Sequence, residues 1–362
     1  MSSIPLFKVY NPGNLGKKVN EVYKTGIITE GKYTEEFERK FSKYIGNKNT
    51  VIVNSGTSAL TLAYRLIGIK ANDEVLVTAQ TCMATNQPLD ILGAKLKFVD
   101  INKFTGNVDE VDLEKKISKK TKAMCFVHWA GQPFNIKRIN QLARKYNIPV
   151  IEDAAHAIGA KYNGKLIGNH GNYVVFSFQA IKHLSSVDGG ALICPNYKIT
   201  DRAKKLRWFG LNRSYKGSKW KQQITESGYK FHMNNVIAAI GIENIKHLKN
   251  IVNKHKFNGK FFDEKIRNPK IKLIERYNSE TSYWIYSLLV DNKAKFKKYM
   301  KNYNIDCDEV HIRNDKYTVF KKYRNAKLLG TSYFEKHMIN IPVGWWLKKS
   351  ELKKIVRVIN NY

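Results

Sequence analysis

The sequence predicts an α/β fold in which a mostly parallel sheet of seven strands is flanked by helices and followed by a smaller C-terminal α+β domain. Three observations predict it. Short β-rich runs alternate with helical stretches between residues 50 and 193. Several of these runs are apolar on both faces, which is typical of strands covered by helices on both sides. The chain of 362 residues is 43% hydrophobic, which is enough to fill a sizeable core.

Seven runs of β-favouring residues are the predicted strands, and their carboxyl ends would meet at one edge of the sheet. The runs are 50–53, 74–77, 96–99, 123–127, 149–151, 174–176 and 191–193. Helices supply the crossovers that parallel strands need, and they are predicted near 35–44, 58–66, 113–117 and 136–146.

After residue 190 the pattern changes from regular alternation to longer helical stretches. The elements predicted there are helices at 200–208, 233–253, 294–303 and 350–361 and a strand at 284–290. We expect a large α/β domain over residues 1–255 and a small α+β domain over residues 256–362.

The composition limits the classes of protein to which the chain can belong. A formal net charge of +33 would suit a polyanionic partner, but the lysines are spread over most of the chain. A lysine-rich surface is therefore favoured over a nucleic-acid-binding one. No apolar run is long enough to span a bilayer, and the N-terminus lacks a secretory signal pattern. We expect a cytoplasmic protein with no membrane or nucleic-acid partner.

The cysteines indicate a reducing compartment and no metal centre. There are four of them, Cys82, Cys125, Cys194 and Cys307, and they lie far apart without metal-ligand spacing. Three lie in or beside apolar runs, so we expect reduced thiols and no bound metal.

Lys182 is the first candidate catalytic residue. It follows an apolar run that predicts a buried strand, and Asp188, Gly189 and Gly190 come after it. This is a poor place for a surface charge and a good place for an amine that forms a Schiff base with a carbonyl cofactor. Burial lowers the pKa of a lysine, so its amine can act as a nucleophile near neutral pH.

An anion site is predicted at residues 54–60, where a strand ends, small residues follow and a helix begins. The N–H groups and the dipole of the helix attract an anion, and the hydroxyls of Thr57 and Ser58 are further donors. An ordinary helix cap would leave the same pattern. Ser177, five positions before Lys182, could complete a phosphate cup.

Asp153 follows another predicted strand, where a helix is expected to begin. A carboxylate there could keep a pyridine nitrogen protonated through a charge-assisted hydrogen bond, although a helix cap is the simpler role for it. His156 would lie one helical turn away on the same face. Phosphate donors, an aspartate, a serine and then a lysine are the order needed to hold pyridoxal 5'-phosphate (PLP).

With these motifs the chain resembles the DegT/DnrJ/EryC1/StrS family of sugar-nucleotide aminotransferases, within the type I fold of PLP enzymes. The likeness runs over nearly the whole chain, and its most specific parts surround Asp153 and Lys182. The other matching segments are 31–38, 54–60, 93–94, 98–100, 127–128, 131–132 and 238–241.

The resemblance implies a role for each residue at a matching position. Lys182 would bind the aldehyde of the cofactor and carry a proton, Asp153 would pair with the ring nitrogen, and His156 would lie near the ring hydroxyl. The residues implied to hold the phosphate are Thr57, Ser58 and Ser177. Members of the family are usually homodimers with a shared active site, and L-glutamate is their usual amino donor.

Three departures from the family pattern are expected to alter contacts rather than chemistry. Cys82 follows Thr81 where the family often has an aromatic residue stacked on the cofactor. Lys230 stands where the neighbouring subunit often supplies an asparagine to the phosphate, and it could replace that contact as a point charge. Trp284 stands where a histidine is common.

The resemblance implies transamination of a nucleotide-linked 4-keto-6-deoxyhexose to a 4-amino-4,6-dideoxyhexose for glycan assembly. Related PLP-dependent sugar-nucleotide 3-dehydratases carry histidine at the lysine position, so Lys182 favours transamination. That dehydratase, a 3-aminotransferase and, more remotely, a basic nucleic-acid-binding protein on a degenerate enzyme fold stay open. Candidate contacts to the nucleotide sugar, each with core packing or a solvated charge as the simpler role, are 29–32, Trp208, Arg213, His311 and Arg313.

Overall fold

The helices of the computed structural model cover the sheet on both faces and build much of the C-terminal region. The structure describes residues 3–213, 215, 217–218, 221–276, 279–324 and 327–362. The helices are α1 Leu15–Lys24, α2 Lys32–Ile45, α3 Gly56–Ile67, α4 Met83–Ile91, α5 Glu110–Lys116, α6 Ile136–Tyr146, α7 Tyr197–Leu206, α8 Asn235–Ile245, α9 Leu248–Lys265, α10 Lys293–Asn302, α11 Leu329–His337 and α12 Lys349–Asn360.

The strands form one large sheet and two small ones. They are β1 Thr50–Val53, β2 Glu74–Thr78, β3 Lys95–Val99, β4 Thr121–Val127, β5 Val150–Asp153, β6 Lys161–Tyr162, β7 Lys165–Leu166, β8 Tyr173–Ser177, β9 Gly190–Ile193, β10 Ile271–Leu273, β11 Ser279–Glu280, β12 Tyr286–Val290 and β13 Met338–Ile341. The large sheet has seven strands in the order β1-β9-β8-β5-β4-β2-β3. The predicted mostly parallel sheet of seven strands is therefore confirmed.

Strand direction determines which strand ends lie at each edge of the large sheet. β3, β2, β4, β5 and β8 are parallel to their neighbours in this series, whereas β9 is antiparallel to both β8 and β1. The carboxyl ends of β1, β2, β3, β4, β5 and β8 thus lie at the same edge as the amino end of β9. In open α/β sheets this is the edge at which ligands bind.

Alternate residues of each strand pack on opposite layers of helices. On one face Ile52, Phe126 and Phe176 share a core with the apolar sides of α2, α6 and α8. On the other, Val51 and Val175 pack with α3 and α7. This two-sided burial explains why the strands read as continuous apolar runs in the sequence.

An aromatic cluster below the sheet edge fixes the turn that carries Lys182. Phe37 and Phe41 of α2 meet Phe178 edge-on, with ring centroids 5.3 and 4.8 Å apart. Such pairs contribute about 0.5–1.5 kcal/mol each beyond the area that they bury. Because Phe178 directly follows β8, its burial anchors the start of the turn.

The single helix predicted at 233–253 is wrong, because the structure has two helices there. α8 ends at Ile245 and α9 begins at Leu248, with Lys246 and His247 between them. The apolar periodicity continues across the break because both helices pack on the same core, which contains Ile242, Leu248 and Val252.

The C-terminal region has its own antiparallel sheet and its own core. The sheet has the order β10-β12-β13, and its core includes Phe262, Leu288 and Ile355. Ile4 from the opposite end of the chain joins this core, and its N–H donates to the carbonyl oxygen of Asn304 at 2.9 Å. Residue 255 lies within the continuous helix α9. The division into domains 1–255 and 256–362 stays a prediction.

Within the described ranges, the structure contains no helix that is both long enough and apolar enough to cross a bilayer.

Candidate active site

A cavity of about 350 Å³ opens at the carboxyl edge of the large sheet. Five residues predicted from the sequence, Thr57, Asp153, His156, Ser177 and Lys182, line it together. The other lining residues are Ser55, Gly56, Leu60, Thr81, Cys82, Ala84, Val127, Ala155, Val175, Gln179, Ile181, Asp188, Trp284, Val310 and His311. The elements that the sequence identified separately therefore surround one space.

The amino end of α3 forms one wall of the cavity. Ser55 caps the helix, since its Oγ accepts the N–H of Ser58 at 3.0 Å. Ser58 is buried and its hydroxyl lies 2.9 Å from that of Ser55, so it serves the cap and does not line the cavity. Thr57 is exposed and lines the cavity, which leaves its hydroxyl available to a ligand.

Glycines keep this end of the cavity open. A Cβ on Gly56 would lie 3.1 Å from the Cβ of Ser177, and one on Gly190 would lie 2.6 Å from the backbone of Ser55. Only glycine lets β9 approach the turn after β1 so closely. The hydroxyl of Ser177 and the start of α3 are thereby brought to the same end of the cavity, as a phosphate cup requires.

Asp153 lies at the centre of the cavity wall with its carboxylate held from two sides. The hydroxyl of Thr85 donates to Oδ2 at 2.6 Å, and the N–H of Ala155 donates to Oδ1 at 3.1 Å. Thr81 supports Thr85, with their hydroxyls 2.8 Å apart. The side chain of Asp153 is buried, and the turn carrying Ala155 follows β5 directly. The helix expected after Asp153 was wrong, because a series of turns stands in its place.

The carboxylate of Asp153 affects the pKa values of two buried neighbours. Burial raises the pKa of the Cys125 thiol and of the Tyr64 hydroxyl, and the nearby carboxylate of Asp153 raises both further. Tyr64 donates to the carbonyl oxygen of Thr85 at 2.7 Å. The helix that carries Thr85 is thus fixed from behind the cavity.

His156 is close to Asp153 in space, although a turn and not a helix connects them. Its Nε2 lies 3.4 Å from Nε2 of His311, and the two rings are nearly parallel, at 1°. Burial and the charge of Lys182 lower the pKa of His311 to about 3 and that of His156 well below its usual value, so both rings are neutral. The Nδ1 of His156 is buried without a partner. A ligand in the cavity could supply that partner.

The C-terminal region contributes His311 to the lining of the cavity. Gln80 donates to the carbonyl oxygen of His311 at 2.7 Å, and the side-chain amide of Asn314 donates to the carbonyl oxygen of Thr81 at 2.7 Å. These bonds hold His311 at a φ of 64°, a conformation that non-glycine residues seldom adopt. The loop after β2 and the segment around His311 are therefore hydrogen-bonded to each other beside the cavity.

Lys182 ends the turn that follows β8. Its N–H donates to the carbonyl oxygen of Gln179 at 2.9 Å, and its Nζ lies 3.7 Å from the ring centroid of Trp284. Burial lowers the pKa of its amine to about 8, although Cys82 and Asp153 oppose the shift. About a tenth of this amine is thus unprotonated at pH 7, and that form is the nucleophile.

The next residue, His183, points to a different environment. Its ring lies 3.1 Å from the carbonyl oxygen of Ser282 and packs against His255, with centroids 4.5 Å apart. His183 does not line the cavity, whereas Lys182 does. The structure therefore places Lys182, and not His183, in the wall of the cavity.

The remaining candidates lie away from the cavity wall, apart from His311. Arg313 forms a two-point contact with Asp315, with both N–O distances 2.6 Å. Arg213 lies over the ring of Trp208 at 4.8 Å. Glu30, in the segment 29–32, pairs with Arg207 at 2.7 Å. Lys230 is exposed and outside the cavity lining.

The sequence did not indicate Thr85, and it did not indicate that the ring of Trp284 contacts Lys182 and His156. Thr85 lies 68 positions before Asp153, on a helix that was not predicted. The available signal was the pair of threonines four residues apart, Thr81 just before α4 and Thr85 in its first turn.

The residues present fit PLP by their own chemistry. The cavity offers anion donors at one end, a buried carboxylate for a protonated ring nitrogen, an unpartnered imidazole nitrogen beside it, and an amine of lowered pKa.

Three comparisons with known proteins agree on one family. Its profile, described as the DegT/DnrJ/EryC1/StrS aminotransferase family, matches residues 13–360. The crystal structure of AtS13 from Actinomadura melliaura is 35% identical, with a TM-score of 0.96, and the match covers 100% of this chain and 99% of that one. The sugar aminotransferase CalS13 from Micromonospora echinospora is 32% identical, with a TM-score of 0.94 and 99% coverage of both chains. A Campylobacter jejuni serotype O:2 protein named UDP-4-amino-4,6-dideoxy-N-acetyl-beta-L-altrosamine transaminase is 34% identical over 277 residues, which are 75% of this chain and 72% of that protein.

Proposed function

The chain belongs to the DegT/DnrJ/EryC1/StrS aminotransferase family, and on that premise we propose that it moves an amino group from L-glutamate to a nucleotide-linked keto-deoxysugar. It is a PLP-dependent sugar aminotransferase. The acceptor that we propose is a 4-keto-6-deoxyhexose on a nucleoside diphosphate, and the product is the corresponding 4-amino-4,6-dideoxyhexose. The observation that carries the proposal is that Thr57, Asp153, Ser177 and Lys182 surround one cavity.

The cofactor would be held by groups that already face the cavity. The start of α3 with Thr57, Ser58 and Ser177 would bind the phosphate, Asp153 the ring nitrogen and His156 the ring hydroxyl. Ser58 would contribute mainly through the helix cap that it forms with Ser55. When bound, PLP supplies an aldehyde that accepts an amino group and a protonated ring that withdraws electrons from the reacting carbon.

Lys182 would act twice through the same atom. Its unprotonated Nζ would first hold the aldehyde of the cofactor. Once the amino donor has displaced Nζ from the cofactor, the free amine would take the α-proton of that donor. A pKa of about 8 suits both uses, because the amine can gain and lose a proton near neutral pH. Proton transfer by a positioned side chain typically contributes ~10²–10⁴-fold in rate.

Asp153 would keep its charge so that the ring nitrogen stays protonated. The donors from Thr85 and Ala155 fix the orientation of the carboxylate. Neutral His156 and His311 would add no positive charge to compete with that proton.

The substrate assignment is supported by a relative and by the charge of the chain. The Campylobacter jejuni relative is named for a UDP-linked 4-amino-4,6-dideoxy sugar. A formal net charge of +33 would raise the local concentration of a dianionic nucleotide sugar and of glutamate.

We propose a cytoplasmic homodimer whose two subunits share each active site. Lys230 is exposed and lies outside the cavity of its own subunit. From the neighbouring subunit its ammonium could reach the phosphate as a point charge.

Incubation with a panel of nucleotide-linked 4-keto and 3-keto sugars and L-glutamate tests the proposal. We expect one equivalent of 2-oxoglutarate for each sugar that gains an amino group, with a 4-keto sugar turned over fastest. Mass spectrometry of the product separates the alternatives: a 3-amino sugar indicates a 3-aminotransferase, and a deoxygenated sugar without nitrogen indicates a 3-dehydratase.

A further inference from the structure

Trp284 contacts three residues in the wall of the cavity: Lys182, His156 and Ile181. Its ring lies 3.7 Å from Nζ of Lys182, and it stacks on His156 with centroids 3.8 Å apart and planes at 14°. Its Nε1–H donates to the carbonyl oxygen of Ile181 at 3.0 Å. The side chain is 2% exposed, so these contacts are made away from bulk water.

The backbone around Trp284 fixes the ring in this position. The N–H of Trp284 donates to the carbonyl oxygen of Ala130, and that of Ser282 to the carbonyl oxygen of Gly131, both at 3.0 Å. Gly131 has a φ of 89°, and a Cβ there would lie 2.4 Å from Oγ of Ser282. The close approach needs glycine, which indicates that the segment is built to hold the indole at this wall.

The amine of Lys182 has no strong counter-ion. Within the part of the chain that the structure describes, no carboxylate oxygen forms an ion pair with its Nζ. The titratable groups that act on it are Asp153 and Cys82, which favour the ammonium, and His156, His183 and His311, whose pKa values lie below their usual range. The indole face is therefore the direct contact that stabilises a positive charge at this atom.

We propose that Trp284 is a positioning residue that holds the released amine of Lys182 while it is an ammonium, after it has taken the α-proton and before it gives that proton up. This inference rests on the role proposed for Lys182. The amine must carry a proton and then give it up again. A carboxylate partner would fix the charge on the amine, whereas a π face stabilises it by only ~0.5–2 kcal/mol. The proton thus stays available, and Nζ stays beside the reacting carbon.

The test replaces Trp284 site-specifically with a series of fluorinated tryptophans. Fluorine weakens the negative face of the indole while changing its volume little and keeping the Nε1–H bond to Ile181. The readout is the rate at which the apoenzyme condenses with PLP, followed by absorbance across pH, because only the unprotonated amine reacts. For unsubstituted tryptophan we expect a midpoint near the pKa of Lys182, about 8.

Each added fluorine should lower that midpoint, because the ammonium loses stabilisation. The whole series should span about 0.4–1.5 pH units, which is the stabilisation of 0.5–2 kcal/mol divided by 1.36 kcal/mol for each unit. A midpoint independent of fluorination would overturn the inference while leaving the proposed function intact. A protein that does not condense with PLP at any pH would instead overturn the role of Lys182 itself.

Trp284→Leu and Trp284→Phe give a second measurement. If the indole only fills space, Leu admits water and raises the midpoint, which would contradict the inference. If the π face matters, the midpoint falls in the order Trp, Phe, Leu, and the donor half-reaction slows in the same order at unchanged KM for glutamate.

Discussion

Two cavities beside the same sheet contrast in size and in chemistry. The lysine-rich cleft lies along the outer strand β3 and has a volume of about 640 Å³. Glu74, Lys95, Lys97 and Lys116 are among the residues that line it. The cavity around Lys182, at the carboxyl edge, has a volume of about 350 Å³. The larger of these two cavities is not the one that Lys182 lines.

The two cavities differ in the groups that surround a lysine side chain. In the lysine-rich cleft Lys116 pairs with Asp112 at 2.8 Å, and Lys97 with Glu74 at 3.4 Å. In the smaller cavity Lys182 faces an indole and has a pKa lowered to about 8 by burial. Burial without a counter-ion makes a lysine reactive, whereas an ion pair keeps it a plain cation. Cavity volume alone therefore does not identify the active site.

The largest expected effect separates the two lysines directly. Lys182→Ala should lower transamination by at least about 10²–10⁴-fold, because it removes the group that carries the proton. Lys116→Ala should leave the rate within about twofold, since its contacts are with Asp112 and the carbonyl oxygen of Phe98. The measurement is 2-oxoglutarate formation at saturating substrates. Comparable losses in both variants would contradict the assignment.

A second prediction concerns the carboxylates of the two regions. Asp153→Asn should weaken PLP binding about 10–100-fold, because a charge-assisted hydrogen bond of about 1.5–3 kcal/mol is lost. Asp112→Asn is the matched control and should bind PLP as the unaltered protein does. The measurement is the equilibrium absorbance titration of the apoenzyme. An unchanged affinity in Asp153→Asn would remove the ring-nitrogen role.

Stability against pH should separate the lysines by sign. The pKa of Lys182 is about 8 when folded and near 10.5 when unfolded, so the folded state binds fewer protons between these values and burial costs most below pH 8. Lys182→Met apoenzyme should be more stable than the parent by about 2 kcal/mol at pH 7, allowing for the partial exposure of the amine. That gain should vanish as pH approaches 10.5.

Lys116→Met is the control for this measurement, which is urea unfolding at a series of pH values. It should be neutral or destabilising by up to about 1 kcal/mol, because it breaks an ion pair. A Lys182→Met protein that is less stable than the parent at pH 7 would show that burial of the Lys182 ammonium does not destabilise the fold.

The smallest expected effect comes from the support behind Asp153. Thr85→Val keeps the shape of the side chain and removes the hydroxyl that donates to Oδ2. We expect PLP affinity to fall about 5–10-fold, which corresponds to about 1 kcal/mol. Thr57→Val, at the exposed phosphate end, provides a comparison through a different part of the cofactor. An affinity unchanged by Thr85→Val would mean that Ala155 alone orients the carboxylate.

The sheet and the sequence-local motifs could be predicted because their signals are local. Buried parallel strands read as apolar runs, and the turns after β1 and β5 carry their functional residues within a few positions. This is why Thr57, Asp153 and Lys182 were found. The break between α8 and α9 was missed because one core buries both helices and the apolar periodicity runs through it.

Other parts of the site could not be predicted because they depend on contacts between distant segments. Thr85 lies on α4, whose interior Pro88 and polar residues hide the helix in the sequence. His311 was predicted only as a contact to the nucleotide sugar, and its place beside His156 depends on a bond from Gln80, 231 positions away. Trp284 was recognised only as a departure, since nothing local shows that its ring lies over Lys182.

The most direct test of the account is to reduce the PLP-saturated protein with borohydride and map the labelled peptide by mass spectrometry. The account predicts that the pyridoxyl phosphate mass lies on Lys182 alone, although the chain has 51 lysines. Label on Lys116 or on other surface lysines, with an unmodified Lys182, would contradict it.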